Sequence, residues 1–130
     1  MTQDERGAIA RAISVAEDGT TGRIAVRVIP DKTVDAFERA KHEFARTGLH
    51  RHDEGNAALV LVAPKARQFA VVGDRALHAR VGDAFWRDVV EESRPYFARG
   101  AVTEGIVHAV GRVGEALHAH FATPPAEDVR

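Results

Sequence analysis

Between Asn56 and Asp74 the chain holds two apolar runs, Ala57-Ala58-Leu59-Val60-Leu61-Val62-Ala63 and Phe69-Ala70-Val71-Val72, linked by Pro64-Lys65-Ala66-Arg67 with Gln68 opening the second. Two runs of strand length joined by a short polar link predict a β-hairpin. The first run has no polar position, as expected of a strand covered on both faces. Such a strand obliges the rest of the chain to supply layers on both sides of a sheet. The hairpin also brings Asn56, ahead of the first strand, to the same end of the sheet as Asp74, at the finish of the second.

The flanking patterns supply those layers. Thr2-Gln3-Asp4-Glu5 reads as a capping box, and Ala8, Ile9, Ala12, Ile13 and Ala16 follow at helical spacing. Asp18-Gly19-Thr20-Thr21-Gly22 breaks that helix. From Arg23 to Ile29 the pattern alternates, with Ile24, Val26 and Val28 on one face and Arg23, Ala25 and Arg27 on the other, which predicts a strand near a sheet edge. Val34, Phe37, Ala40, Phe44 and Ala45 predict a second helix with Arg39, Lys41, Glu43 and Arg46 on its wet side, closed by Gly48. A polar loop, His50-Arg51-His52-Asp53-Glu54-Gly55, leads to the hairpin.

After it, residues 74–81 read as a short helical turn. Gly82-Asp83 then opens a helix with Phe85, Trp86, Val89 and Val90 inward and Pro95 near or beyond its end. Val102, Ile106, Val110, Val113, Leu117 and Phe121 form the seam of a last helix. The order α-β-α-β-β-α-α predicts an α/β fold, a three-layer α/β/α sandwich. Its small mixed sheet is a right-handed βαβ unit plus an antiparallel hairpin strand, covered by about four helices. A single domain over residues 1–122 and a frayed, polar tail over 123–130 are expected.

Composition narrows the function. In 130 residues, 18 basic and 19 acidic side chains give a net charge of −1, so nothing draws the chain to nucleic acid or to an anionic membrane. Cysteine is absent, which removes disulfides and thiolate chemistry and suits a reducing compartment. No apolar run approaches the roughly 20 residues of a membrane span, and Met1-Thr2-Gln3-Asp4-Glu5-Arg6 does not read as a signal peptide. The expected location is the cytoplasm, as a monomer or weak homo-oligomer.

The topology gathers polar residues at one rim. Asp53, Glu54 and Asn56 lie at the start of the second strand, Asp74 at the finish of the third, and Glu17 and Asp18 ahead of the first. Oxygen ligands converging on loops suit a hard cation such as Ca²⁺ or Mg²⁺, which makes Glu17, Asp53, Glu54, Asn56 and Asp74 the candidate metal residues. The competing assignment makes Asp74 a helix cap, Asn56 a loop tie and the other acids solvated. His50, His52, Asp53 and Glu54 form a weaker transition-metal candidate. His118 and His120, two apart on a helix, do not share a face and form no chelate, and His42 and His108 are expected to face water. Gly111 and Gly114 inside the last helix point to close packing. A Gly-rich phosphate loop and a Gly-x-Ser-x-Gly elbow are both missing, and Ser14 and Ser93 lack an obvious relay. The catalytic residues are unknown; hydrolysis would need a metal-activated water, with Arg75 first, then Arg51 or Arg67, meeting a phosphate.

Several of these residues also form a longer pattern. It runs Glu17…Thr21-Gly22-x-Ile24-x-Val26, then Phe44…Gly48-Leu49…Asn56…Leu59-x-x-Val62-Ala63, then Phe69-Ala70-Val71-x-Gly73-Asp74…Phe85-Trp86, and finally Phe97-x-x-Gly100…Gly105-Ile106…Gly114…Leu117…Phe121. In order and spacing it resembles the TPM domain family, and most of all its short, soluble bacterial members. The resemblance implies an α/β/α sandwich, divalent-cation binding and the weak phosphatase activity attributed to some members. It equally allows a non-enzymatic interaction or quality-control adaptor with an unknown protein partner. The chain departs from the pattern at His52 and Gly55, where relatives often carry Thr and Arg.

Overall fold

The structure is a computed structural model and describes residues 1–124. Thr2 starts α1 (Gln3–Glu17) with the expected reciprocal cap: its hydroxyl accepts from the Glu5 amide at 3.1 Å, and Glu5 Oε1 accepts from the Thr2 amide at 2.9 Å. There follow β1 (Arg23–Val28), α2 (Ala36–Arg46), a 3₁₀ turn (Leu49–Arg51), β2 (Ala57–Ala63), a second 3₁₀ turn (Pro64–Ala66), β3 (Gln68–Gly73), α3 (Arg75–Ala98) and α4 (Val102–His120). No helix among the described residues is long and apolar enough to cross a membrane.

The sheet order is β1-β2-β3, with β1 parallel and β3 antiparallel to β2. Arg23 stands beside Ala57, and Ala58 beside Gly73, so the βαβ unit and the hairpin share one polar end. Every residue of β2 is buried. Ala58, Val60 and Val62 pack with Ile24 and Val71 against α1, α3 and α4. Leu59, Leu61 and Ala63 pack with Ala70 against Ala36 and Ala40 of α2. Three helices on one face and one on the other complete the expected α/β/α sandwich.

Local patterns misplace a few side chains. Phe37, expected inside, is 54% exposed under the Lys41 ammonium, while Glu43, expected on the wet side, is 3% exposed. The buried stripe of α2 is Ala36, Ala40 and Glu43. A carboxylate is tolerated there because Arg46 bonds it at 2.7 Å and Arg39 and Arg27 lie at 3.4 and 3.7 Å. Pro95 falls near the end of α3, as expected, in the last turn before Ala98; the proline is on the exposed side, where solvent can take the carbonyl it leaves unpaired. The expected break falls at Gly82 (φ 77°, ψ 173°), a backbone state open mainly to glycine, so that α3 consists of two helical limbs across a kink. His108 is half-buried, its Nε2 2.8 Å from Glu92 Oε1 and its ring stacked on Tyr96. At the C-terminal end Ala122 bridges Thr20 and the Thr123 amide donates to Gly19 O at 2.8 Å; residues 125–130 of the expected tail lie outside the described residues.

The two helical glycines separate. A Cβ on Gly114 would sit 2.7 Å from Ala16 Cβ, at the contact of α4 with α1, while one on Gly111 would meet open space. Gly114→Val should therefore cost about 1–3 kcal/mol in a urea melt, and Gly111→Ala should add about 1 kcal/mol. Glu43 supplies a pH signature. The Arg46 hydrogen bond, ahead of the contribution from Arg39, holds its carboxyl below the ordinary 4.5. The stability from this depressed pKa is complete above 4.5, the unfolded value, and drains as pH falls through the lower folded value. Glu43→Gln should be less stable at neutral pH and show a flatter loss of urea midpoint on acidification; parallel pH profiles would refute the assignment.

Candidate functional site

The polar end of the sheet is built by side chains that finish backbone ladders. The Asp74 amide donates to Ala57 O at 2.8 Å, continuing the β2–β3 pairing by one step. Asp74 then becomes the N-cap of α3, its Oδ1 accepting from the Arg75 amide at 2.7 Å. The next two amides of α3, on Ala76 and Leu77, donate to Gly55 O at 2.9 and 3.2 Å. Gly55 can offer that carbonyl because it turns at φ 65°, with the Ala76 methyl 3.2 Å from where its own Cβ would stand. The first turn of α3 is thereby clamped onto the 53–56 loop.

On the other side of the loop, Asn56 is fully buried, and its Nδ2 donates to Thr21 Oγ1 at 2.9 Å. His52 Nε2 lies 2.7 Å from Thr21 O, so that nitrogen carries the proton. Thr21, the His52–Asn56 loop and Asp74 come from three separate stretches of chain. Two oxygens at this rim are buried without a hydrogen-bond partner among the described residues: Asn56 Oδ1 and Asp74 Oδ2. Leaving a buried acceptor unpaired costs about 1–3 kcal/mol each, more for a carboxylate.

The five candidate metal residues do not behave alike. Asn56 and Asp74 carry the unpaired oxygens. Glu17 is half-buried and commits Oε2 to the Ile24 amide at 2.7 Å, closing the start of β1. Asp53 and Glu54 are exposed on the loop. Among the described residues no three His, Cys, Asp or Glu side chains close on one point, and this includes the His50, His52, Asp53 and Glu54 cluster. Of the candidate arginines, Arg51 and Arg75 are exposed on the loop and first helical turn that build the rim. Arg67 follows the Pro64–Ala66 turn at the opposite end of the hairpin and cannot join them.

Sequence spacing gave no warning of two supports. Thr21 receives both Asn56 and His52 over separations of 35 and 31 residues, and turn composition alone does not single it out. Trp86 Nε1 donates to His78 Nδ1 at 2.9 Å, while its ring lies where a Cβ on Gly73 would be, so β3 and both limbs of the bent α3 are held together behind Asp74.

A three-stranded mixed sheet between one helix and three, with a rim of buried oxygens at its polar end, defines a small α/β/α domain. The sequence profile of the TPM domain matches residues 1–116, and the chain belongs to that family. Among solved structures it is similar to the BA42 protein of the psychrophilic bacterium Bizionia argentinensis, at 29% identity and a TM-score of 0.86 over 96% of this chain and 86% of that one. Two further NMR structures share the fold. The N-terminal domain of the cg2496 protein of Corynebacterium glutamicum is 15% identical, with a TM-score of 0.73 over 100% of this chain and 82% of that one. An N-terminal domain from P. gingivalis is 14% identical, with a TM-score of 0.78 over 93% and 78%. No sequence among the curated proteins matches the chain.

Because Glu17 is committed to the Ile24 amide, Glu17→Ala should lower stability by about 1.5–3 kcal/mol, the range for a charged hydrogen bond, in a melt run with EDTA. A loss seen only when divalent ions are present would overturn this structural role.

Proposed function

We propose that the rim binds a hard divalent cation, Ca²⁺ or Mg²⁺, through Asn56 Oδ1 and Asp74 Oδ2, with carboxylates of Glu17, Asp53 and Glu54 adding charge around it. The observation that carries this reading is the pair of buried, unpartnered oxygens at one sheet end. A helix cap explains one oxygen of Asp74 and leaves the other unexplained. A loop tie explains the Asn56 amide nitrogen and leaves its oxygen unexplained. A hard cation takes neutral amide and anionic carboxylate oxygens together, which is the donor set at hand.

Weak hydrolysis of phosphomonoesters is the activity such a site could support. A bound cation supplies Lewis-acid chemistry. The chain's own contribution is a set of exposed groups on the flanking loop and helix. Asp53 and Glu54 are free to accept a proton from water, and Arg75 is free to meet a phosphate oxygen. Thr21 Oγ1 accepts from Asn56 Nδ2, which gives the rim hydroxyl a scaffold role.

Thermal melts with Ca²⁺, Mg²⁺, Mn²⁺ and EDTA test the binding. At about 100 times the dissociation constant a cation should add roughly 2.7 kcal/mol. Asp74→Ala should abolish the shift, whereas Asp31→Ala, at the other end of the sheet, should keep it. No shift with any ion would remove the proposal. Equal turnover of p-nitrophenyl phosphate by wild type and Asp74→Ala would show that hydrolysis does not arise at this rim.

A further inference from the structure

Among the described residues β1 is an edge strand whose only sheet partner is β2. In a parallel ladder the N–H and C=O of one residue point to the same side, alternating along the strand. The Ile29 amide donates to Val62 O at 2.9 Å, so Ala25 and Arg27 also face β2, and Ile24, Val26 and Val28 turn their amides outward. Two devices close the beginning of this edge. Thr21 N donates to Phe121 O at 3.0 Å, and Glu17 Oε2 takes the Ile24 amide. From Val26 to Val28 the outward backbone bonds nothing among the described residues.

A groove of about 750 Å³ runs beside this open stretch. Ile9 and Ile13 of α1 and Val26 and Val28 of β1 give it an apolar floor, and Val28 is 40% exposed. Arg6, Arg27 and Lys65 also line it, and no Asp or Glu does. The opposite face of the strand is cationic too. Arg23 is exposed, and Arg27 reaches only Glu43, a single carboxylate already shared by Arg39 and Arg46.

We propose that the β1 edge and its groove bind an extended segment of another protein as a fourth strand, with apolar side chains alternating with acidic ones. The partner's backbone pairs with the outward groups of Val26 and Val28, which is strand addition. Its apolar side chains, on the α1 face, fill the groove. Its carboxylates, on the α2 face, meet Arg23 and Arg27, while those at the groove mouth meet Arg6 and Lys65. A second copy of this chain fits poorly. Antiparallel self-pairing of the open stretch, with Val26 against Val28, sets Arg27 opposite Arg27, and like charges directly opposite are destabilising. The same arginines that keep the edge from its own kind leave it open to an acidic strand.

The test is an NMR titration of the intact chain with a synthetic peptide of alternating valine and glutamate, read by amide exchange. Val26 and Val28 should gain protection while Ile24, already bonded to Glu17, stays as it was. Replacing the peptide's glutamates by lysines should weaken binding by about tenfold or more. The double variant Arg6→Glu with Lys65→Glu should do the same; neither side chain makes an ion pair among the described residues, so folding is preserved. Asp74→Ala should bind the peptide as wild type does, which keeps this surface distinct from the rim. Unchanged exchange at Val26 and Val28 in saturating peptide would overturn the proposal, as would equal binding of the lysine peptide. Protection that appears with protein concentration alone would assign the edge to a second copy. Tighter binding to phosphatidylglycerol vesicles than to the peptide would assign the groove to lipid.

Discussion

Everything in this fold depends on β2 having no surface. Its seven residues, Ala57 to Ala63, are buried by helices above and below and by a strand on either side. A strand with both faces apolar cannot be left at an edge or half covered, because the apolar area that drives folding would then remain in water. One helix, α2, the connection from β1 to β2, covers one face over β2 and β3, and three cover the other. The parallel β1 and antiparallel β3 meet the backbone of β2. With β2 fixed in the middle, the ends of its neighbours are fixed too, and with them the rim.

At that rim, side chains take over where the ladders stop. Glu17 accepts from Ile24, Asp74 from Arg75, and Thr21 receives Asn56. At the far end Gln68 Oε1 performs the same service for the Ala36 amide at 2.9 Å. The difference is in what remains. Among the described residues the far-end ties leave no buried side-chain oxygen unmatched, whereas Asn56 and Asp74 each use half of a two-ended group and leave the other half buried. The outer side of β1 shows the same economy, since Glu17 and Phe121 close its beginning and the stretch from Val26 to Val28 is left open.

The legible part of the sequence was the part carried by short-range pattern. The capping box at Thr2, the alternation of β1, the hairpin and the break at Gly82 each depend on neighbours a few residues apart, and each is where the pattern puts it. The convergence of Asn56 and Asp74 was legible for the same reason, because hairpin geometry follows from the link. The inward stripe of α2 was not. Phe37 looked like core and Glu43 like surface, yet the stripe runs through Ala36, Ala40 and Glu43 because arginines from β1 and from α2 itself neutralise the carboxylate. Of the candidate site, Asn56 and Asp74 emerge with oxygens to spare, Glu17 proves to be a backbone tie, and Thr21 and His52 appear as supports that no local rule singles out.

The sequence by itself determined the layers, the strand directions and the end of the sheet where polar groups collect, because burial and turn chemistry act through residues close in the chain. Only the tertiary structure decided which polar atoms at that end are satisfied and which stretch of β1 stays open. Those outcomes rest on hydrogen bonds between residues tens of positions apart, such as Asn56 to Thr21, whose partners are set by packing and not by spacing.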